Sequence, residues 1–276
     1  MNVLRNTLYG ILSGITEFLP VSVKGHQALV QYLFGIDARD PVLDLLVHIG
    51  TLIAILVSCR EMLMRLYRQQ RALLFFRRRK NRMIDSKSYY DLRLLKTATI
   101  PLLLSFCLYF FTSGLTLNLL SLMAFFVLNG IVLLIVEHVR HGNRDSRTMT
   151  GLDGIALGVV GSLSAFPGIS RTAMTSSYAI ARGSGSKHAA DWSILLGIPA
   201  LLFLLGLDVF FIVSGGVGAL AFPEIMSYLL AGCAAFLGGY IGISLLQLVL
   251  NYFGLSGFAY YSFGAAFFSF VLYLLT

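Results

Sequence analysis

The chain has 276 residues, 57% of them hydrophobic and only 12% charged, with a formal net charge of +8. Soluble domains carry about a quarter of their residues as charges, so this composition excludes one, and long apolar runs in place of short alternating segments exclude a β-barrel. In such a chain the basic excess marks loops held on one side of a bilayer, not a nucleic-acid partner.

Residues 3–20 are apolar up to Pro20, and 27–36 are again mostly apolar. Between these runs Glu17, Pro20, Ser22, Lys24 and His26 fall within ten residues. A charge at bilayer depth costs on the order of 2.5–3.5 kcal/mol, so Glu17 and Lys24 need partners or water. A signal peptide or a surface loop would also place polar residues here, but no small-x-small cleavage signal follows the apolar run. The pattern predicts a re-entrant hairpin over 3–36, its irregular break buried in protein. A polar turn over 37–42 leads into a first span at about 43–59. Residues 60–93 read as a solvated basic loop on the cytoplasmic side; twelve Lys or Arg fall between 60 and 96, among them Arg77, Arg78, Arg79 and Lys80. Such a loop also suits anionic lipid headgroups. Spans follow at about 94–112 and 118–137, joined by a turn through Ser113 and Gly114, and 138–150 is basic again.

The second half repeats the plan. Residues 151–166 are apolar and Gly-rich, the run breaks over 166–171, and 172–182 is again helical, giving a second re-entrant hairpin over 151–182. Spans at about 192–213, 226–249 and 257–275 complete one membrane domain over 1–276. Pro20 is followed four residues later by Lys24, and Pro167 four residues later by Arg171. Three spans separate the hairpins, an odd number, so the halves 1–137 and 151–276 run in opposite orientation. The expectation is an all-α polytopic membrane protein of two inverted-topology repeats, each a re-entrant helical hairpin plus three transmembrane helices. Such repeats place a site near the midplane between the broken helices. With 60–93 and 138–150 cytoplasmic, the first hairpin opens to the outer side.

The two breaks together hold Glu17, Ser22, Lys24, His26, Ser170, Arg171 and Thr175. Arg171 presents a planar fork suited to phosphate, and Lys24 a point charge beside it. Helices starting at the breaks add backbone N–H donors for an anion. Glu17 reads as a general base, a divalent-cation ligand, or a partner for Lys24 or Arg171, which as a structural ion pair would merely make the fold possible. His26 can move a proton near neutral pH. His48, Asp44, Glu137 and His138, at helix ends, read as interfacial; Trp192 and several Tyr read as interface anchors. Asp208 is an unexplained charge inside a long apolar span. Cys59, Cys107 and Cys233 read as small buried hydrophobes, with no disulfide framework and no metal-ligand spacing.

The pieces T-E-F-L-P-V-S-V-K-G-H (16–26), V-H-I-G-T-L-I-A (47–54), F-P-G-I-S-R-T-A-M-T (166–175) and A-A-D-W-S-I-L-L-G-I-P (189–199) carry a resemblance. In order, they resemble the bacitracin-resistance, undecaprenyl-diphosphate phosphatase family of bacterial membranes. The resemblance implies six spans, two re-entrant hairpins, and a site facing the outer side of the bacterial cytoplasmic membrane. It implies a hydrolase that cleaves a polyprenyl (undecaprenyl) diphosphate to the monophosphate, recycling the lipid carrier of peptidoglycan synthesis. It carries Glu17, Ser22 and His26 as catalytic residues, and Ser170, Arg171 and Thr175 as contacts to the lipid phosphates beside Lys24. The one cofactor admitted is a divalent cation, Mg²⁺ or Ca²⁺, at Glu17.

The chain also departs from the family's pattern. Ser13 stands where a second acidic residue is usual, and Val23 and Lys24 replace Ser and Thr of the usual V-S-S-T-G-H loop. Gly161 stands where Gln is common, and Asp191 where Glu is common. Losing a carboxylate and a hydroxyl favours a second reading, a non-hydrolytic transporter that flips undecaprenyl phosphate between leaflets. Ser22, or a water activated by Glu17, still leaves a route to hydrolysis, because phosphoryl transfer depends mainly on positioning and charge.

Overall fold

A computed structural model of the chain describes residues 2–34, 40–75, 86–104, 108, 112, 118–139, 142–215, 220–252 and 254–275. The helices are α1 (Asn2–Phe18), α2 (Val23–Leu33), α3 (Pro41–Ser58), α4 (Arg60–Phe75), α5 (Ser86–Leu102), α6 (Leu119–Glu137), α7 (Gly151–Ser162), α8 (Arg171–Ala181), α9 (Ser186–Gly215), α10 (Phe222–Tyr252) and α11 (Ser256–Leu275). Among the described residues there is no strand. Local chemistry sets several helix starts. Asp40 accepts from the Val42 and Leu43 N–H groups ahead of Pro41, Asn118 does the same for Leu120 and Ser121, and Thr150 with Asp153 forms a capping box.

Five helices are long and apolar enough to cross a membrane: α3, α6, α9, α10 (as far as Leu250) and α11. The protein is an all-α, multi-pass membrane protein. The stretch read as a span at 94–112 begins inside α5, and most of its second half lies outside the described residues.

One expectation needs correcting. Among the described residues the stretch 60–93 is helix over Arg60–Phe75 and again from Ser86. Leu66 of α4 and Leu92 of α5 are buried with Leu195 of α9, and Met62, Leu63 and Leu73 pack beside them. The arginine count masked this amphipathic stripe, although Arg, Leu, Met and Gln all favour helix. Residues 77–80 and the turn at 113–114 lie outside the described residues.

Close backbone approach holds the bundle together. Helix α10 lies along both α1 and α3. A Cβ on Gly10 or Gly14 would run into the carbonyl oxygens of Ala231 and Ala235, and one on Gly50 into that of Gly232. With no water to expel between helices in lipid, such small-residue contacts supply the van der Waals energy of association. Gly50→Ala is therefore expected to cost about 1–3 kcal/mol by overpacking. Thermal unfolding in detergent checks it, and an unchanged melting temperature would mean that α3 and α10 do not meet this closely.

The rest of the bundle pairs α6 with α11, α5 with α7, and α9 with α3 and α8. Trp192 is buried, and its Nε1 donates to His188 Nε2 at 3.1 Å, so it is a core residue and not an interface anchor. Cys59 is buried as expected, Cys233 is exposed on α10, and Cys107 lies outside the described residues. The segment 142–150 folds back on the start of α9: Arg144 N–H donates to Gly183 O at 3.0 Å and Ser146 N–H to His188 Nε2 at 3.0 Å. Arg182 Nε donates to Asp153 Oδ1 at 2.6 Å. Burial pushes the Asp153 carboxyl up, but hydrogen bonds from Thr150 and Arg182 outweigh it and hold the group at about 2.

Candidate active site

Two helix breaks meet in the middle of the bundle. One is 19–22, between α1 and α2. The other is 166–170, between the short 3₁₀ turn Leu163–Ala165 and α8. Each break satisfies the other. Gly168 N–H donates to Ser22 Oγ at 3.0 Å, and Ser170 Oγ donates to Leu19 O at 3.2 Å. Each serine also caps the helix that follows it, accepting from Gly25 N–H and Ala173 N–H respectively. Lys24 Nζ reaches Ala165 O at 3.5 Å. Broken backbone away from water must find partners in protein, and here much of it finds them in the opposite break.

Asn129 clamps the arrangement, and the sequence reading did not single it out. It is fully buried on α6. Its Nδ2 donates to Pro20 O and to Ser262 Oγ, both at 3.0 Å, and its Oδ1 accepts from Ser170 N–H at 2.9 Å. One amide thus ties one break to the other and to α11. Its signal was legible: an Asn in the middle of the apolar run LLSLMAFFVLNGIVLLIVE.

Of the partners open to Glu17, the structure shows Arg171. Arg171 Nη2 donates to Glu17 Oε1 at 3.2 Å and to its main-chain O at 3.4 Å, while Nη1 donates to Ser193 O at 2.6 Å. Their side chains are 6% and 11% exposed. Gly197 makes room, because a Cβ there would sit 3.1 Å from Arg171 Nη2. Thr175 stands behind Arg171, its hydroxyl bonded to Arg171 O and Ser193 Oγ, both at 2.9 Å. Among the described residues Ser22 is the one non-glycine with a left-handed φ, 66°. That backbone costs on the order of 1–3 kcal/mol and persists where its surroundings over-determine it. Gly168, at φ 103°, could not be replaced: a Cβ would press on Phe125 and on the Phe126 backbone.

His26 is held at both ring nitrogens. Nδ1 lies 2.6 Å from Ser22 O and Nε2 lies 2.7 Å from the Tyr261 hydroxyl. A carbonyl only accepts, so Nδ1 carries the proton, and Nε2 of the neutral ring accepts from Tyr261. Tyr261, which also stacks on the ring, was not foreseen. Ser13, where the acidic residue is usual, accepts from Gln27 Nε2 at 3.0 Å, and Val23 is the first residue of α2.

Two residues read as interfacial sit elsewhere than expected. Asp44 and His48 are buried. The Tyr9 hydroxyl donates to Asp44 Oδ1 at 2.7 Å, and His48 Nδ1 lies 2.6 Å from Asp208 Oδ2. A carboxyl group in an apolar span is tolerated here because a partner 160 residues away supplies it with a hydrogen bond. Glu137 Oε2 accepts from Leu255 N–H at 2.6 Å, tying α6 to the start of α11, while His138 is exposed.

The breaks thus gather two cationic side chains and two helix N-termini beside one carboxylate. No group of three or more His, Cys, Asp or Glu among the described residues forms a metal-binding set. Glu17 Oε1 already accepts from Arg171 at 3.2 Å.

The fold and its polar centre define a multi-pass membrane protein built round two interlocked helix breaks. The family model described as bacitracin resistance protein BacA matches residues 6–268. The chain belongs to that family. It is 32% identical over 268 residues to a protein of Carboxydothermus hydrogenoformans named undecaprenyl-diphosphatase, covering 95% of this chain and 94% of the relative. It is 33% identical to one so named from Syntrophotalea carbinolica, with 95% of each covered. An undecaprenyl-diphosphatase 3 of Bacillus cereus is 28% identical over 96% of this chain and 95% of its own.

Proposed function

We propose that the protein hydrolyses undecaprenyl diphosphate to the monophosphate, in the bacterial cytoplasmic membrane, at a site open to the outer side. The observation that carries this reading is Arg171, buried yet fixed by Glu17 and Ser193 at the first turn of a helix that starts from a break. A guanidinium so placed, with Lys24 and the N-termini of α2 and α8, is built to hold a diphosphate. Phosphoryl transfer asks chiefly for such positioning and charge neutralisation. The relatives' names support hydrolysis, and transport without hydrolysis has no such support. A divalent cation, on this reading, arrives on the substrate's phosphates. The inverted-repeat relation is supported by an exchange between the halves: α1 leans on α10, and α7 leans on α5.

Water, not Ser22, is the nucleophile in this proposal. Ser22 Oγ already accepts two backbone N–H groups, from Gly25 and Gly168, which occupy its lone pairs. Phosphate release from undecaprenyl diphosphate by the purified protein, with and without Mg²⁺ or Ca²⁺, tests the function, and no release would overturn it. Ser22→Ala is expected to lose about 1 kcal/mol of stability with its cap and to keep measurable turnover. A folded, fully inactive Ser22→Ala, with phosphoserine trapped in the wild type, would restore serine as nucleophile.

A further inference from the structure

Two routes of hydrogen bonds run from one turn of α11 into the helix breaks. Ser262 Oγ accepts from Asn129 Nδ2, and Asn129 in turn holds Pro20 O and Ser170 N–H. The neighbouring Tyr261 takes a different route. Its hydroxyl lies 2.7 Å from His26 Nε2, and the two rings lie nearly parallel, 14° apart in plane, with centroids 5.6 Å apart. Phe126 meets the other side of this contact, its ring edge-on to His26 at 5.7 Å and 82°.

His26 in turn serves one atom. Ser22 O accepts from the His26 main-chain N–H at 3.2 Å and from its ring Nδ1–H at 2.6 Å. A carbonyl oxygen has two lone pairs, so His26 occupies both. Ser22 is where the two breaks cross. Its Oγ accepts from Gly25 N–H, in the first turn of α2, and from Gly168 N–H, in the opposite break. Its backbone is left-handed, φ 66° and ψ 107°, a shape that holds only where its surroundings over-determine it. Tyr261 settles how the ring works. Nδ1 must donate to a carbonyl, so a neutral ring has to accept at Nε2, and a hydroxyl donates there. Without that hydroxyl a nitrogen of a 6% exposed residue would lose its partner, and the ring could turn about its soft χ2 to seek another. Tyr261 itself is 50% exposed, so its ring carries little of the core, and its hydroxyl is what the break takes from it.

We infer that Tyr261 is a positioning residue of this site. By donating to His26 Nε2 it locks the imidazole as the Nδ1–H tautomer, and through that ring it fixes the Ser22 carbonyl and the set of the first break against the second. This deepens the phosphatase reading and rests on it. Tyr261 acts through His26 alone. Arg171 and Lys24 keep their contacts to Glu17, Ser193 and Ala165 without it, so diphosphate binding survives its loss. Alignment of the reacting groups does not, and a misplacement of about 1 Å costs on the order of 10²-fold in rate.

The test is Tyr261→Phe in the full-length protein, with undecaprenyl diphosphate in detergent micelles. Phe keeps the stacked ring and removes the hydroxyl. The expected result is a kcat lower by on the order of 10–100-fold, with KM within about threefold of wild type and the melting temperature nearly unchanged. The side-chain ¹⁵N spectrum of histidine-labelled protein reads the ring directly, with His26 assigned by its loss in His26→Asn. Wild type should show His26 protonated at Nδ1 with Nε2 as a hydrogen-bonded acceptor, and Tyr261→Phe should shift the Nε2 signal. A wild-type His26 protonated at Nε2 would overturn the inference without any variant. His26→Asn keeps an amide N–H for the Ser22 carbonyl and removes Nε2, so adding Tyr261→Phe to it should lower kcat no further. A second full loss there would overturn the inference. So would wild-type kcat in Tyr261→Phe, a lower kcat with the His26 spectrum unchanged, or a kcat that falls only as far as the folded fraction does. Each of these leaves the phosphatase reading standing, whereas no release from the wild type would overturn both.

Discussion

Arg171→Ala is expected to abolish lipid diphosphate binding and to lower kcat/KM by on the order of 10²–10³ or more. The physical argument has two parts. The guanidinium reaches both Glu17 and the Ser193 carbonyl from the first residue of α8. Removing it also leaves the Glu17 carboxylate, only 11% exposed, without its counter-ion, and breaking such a pair costs about 3–5 kcal/mol. Loss of activity through unfolding must therefore be separated from loss through binding. The double variant Glu17→Ala with Arg171→Ala should recover much of the melting temperature and none of the lipid affinity. Arg171→Lys should recover neither fully, because an ammonium cannot hold the Ser193 carbonyl and the Glu17 carboxylate in a fixed fork. Unchanged lipid affinity in Arg171→Ala would remove this residue from the site.

Asn129→Leu should be nearly as damaging, although Asn129 is placed among the supports of the breaks and not among the phosphate contacts. The leucine is close in size but leaves Pro20 O and Ser170 N–H without this partner inside the protein. Each buried group so stranded costs about 1–3 kcal/mol. Ser262 keeps its bond to Phe258 O, so it adds little. Asn129→Asp should be no better, since it sets an acceptor against the Pro20 carbonyl. The expected outcome is a lower melting temperature with phosphate release reduced further than the stability loss explains, because the two breaks lose their register. Thermal unfolding and phosphate release on the same preparation check it. Wild-type values for both would show that the Ser22–Gly168 and Ser170–Leu19 bonds hold the breaks unaided.

Much of this protein was legible in its composition and punctuation. Long apolar runs specify helices that cross a bilayer, because backbone polar groups there must be satisfied within the segment. Pro20 and Pro167 end helices locally, and Ser22 and Ser170 start new ones, so both breaks could be located from neighbouring residues alone. Glu17 and Arg171 stood out because charge at depth demands a reason. Helix α4 was missed because the density of arginine outweighed an apolar stripe spaced over several turns.

The pairings belonged to the tertiary structure. Glu17 had three open readings in the sequence, and only the packing of one break against the other put it on Arg171, 154 residues away. His48 and Asp208, Asn129 and Ser170, and His26 and Tyr261 are likewise separated by 160, 41 and 235 residues. Local propensity and hydrophobic pattern act over a few turns, so the sequence by itself determined where helices start, stop and break. Which buried polar group meets which is settled by the close approach of helices, where each donor and acceptor cut off from water takes the partner that the packing brings within reach.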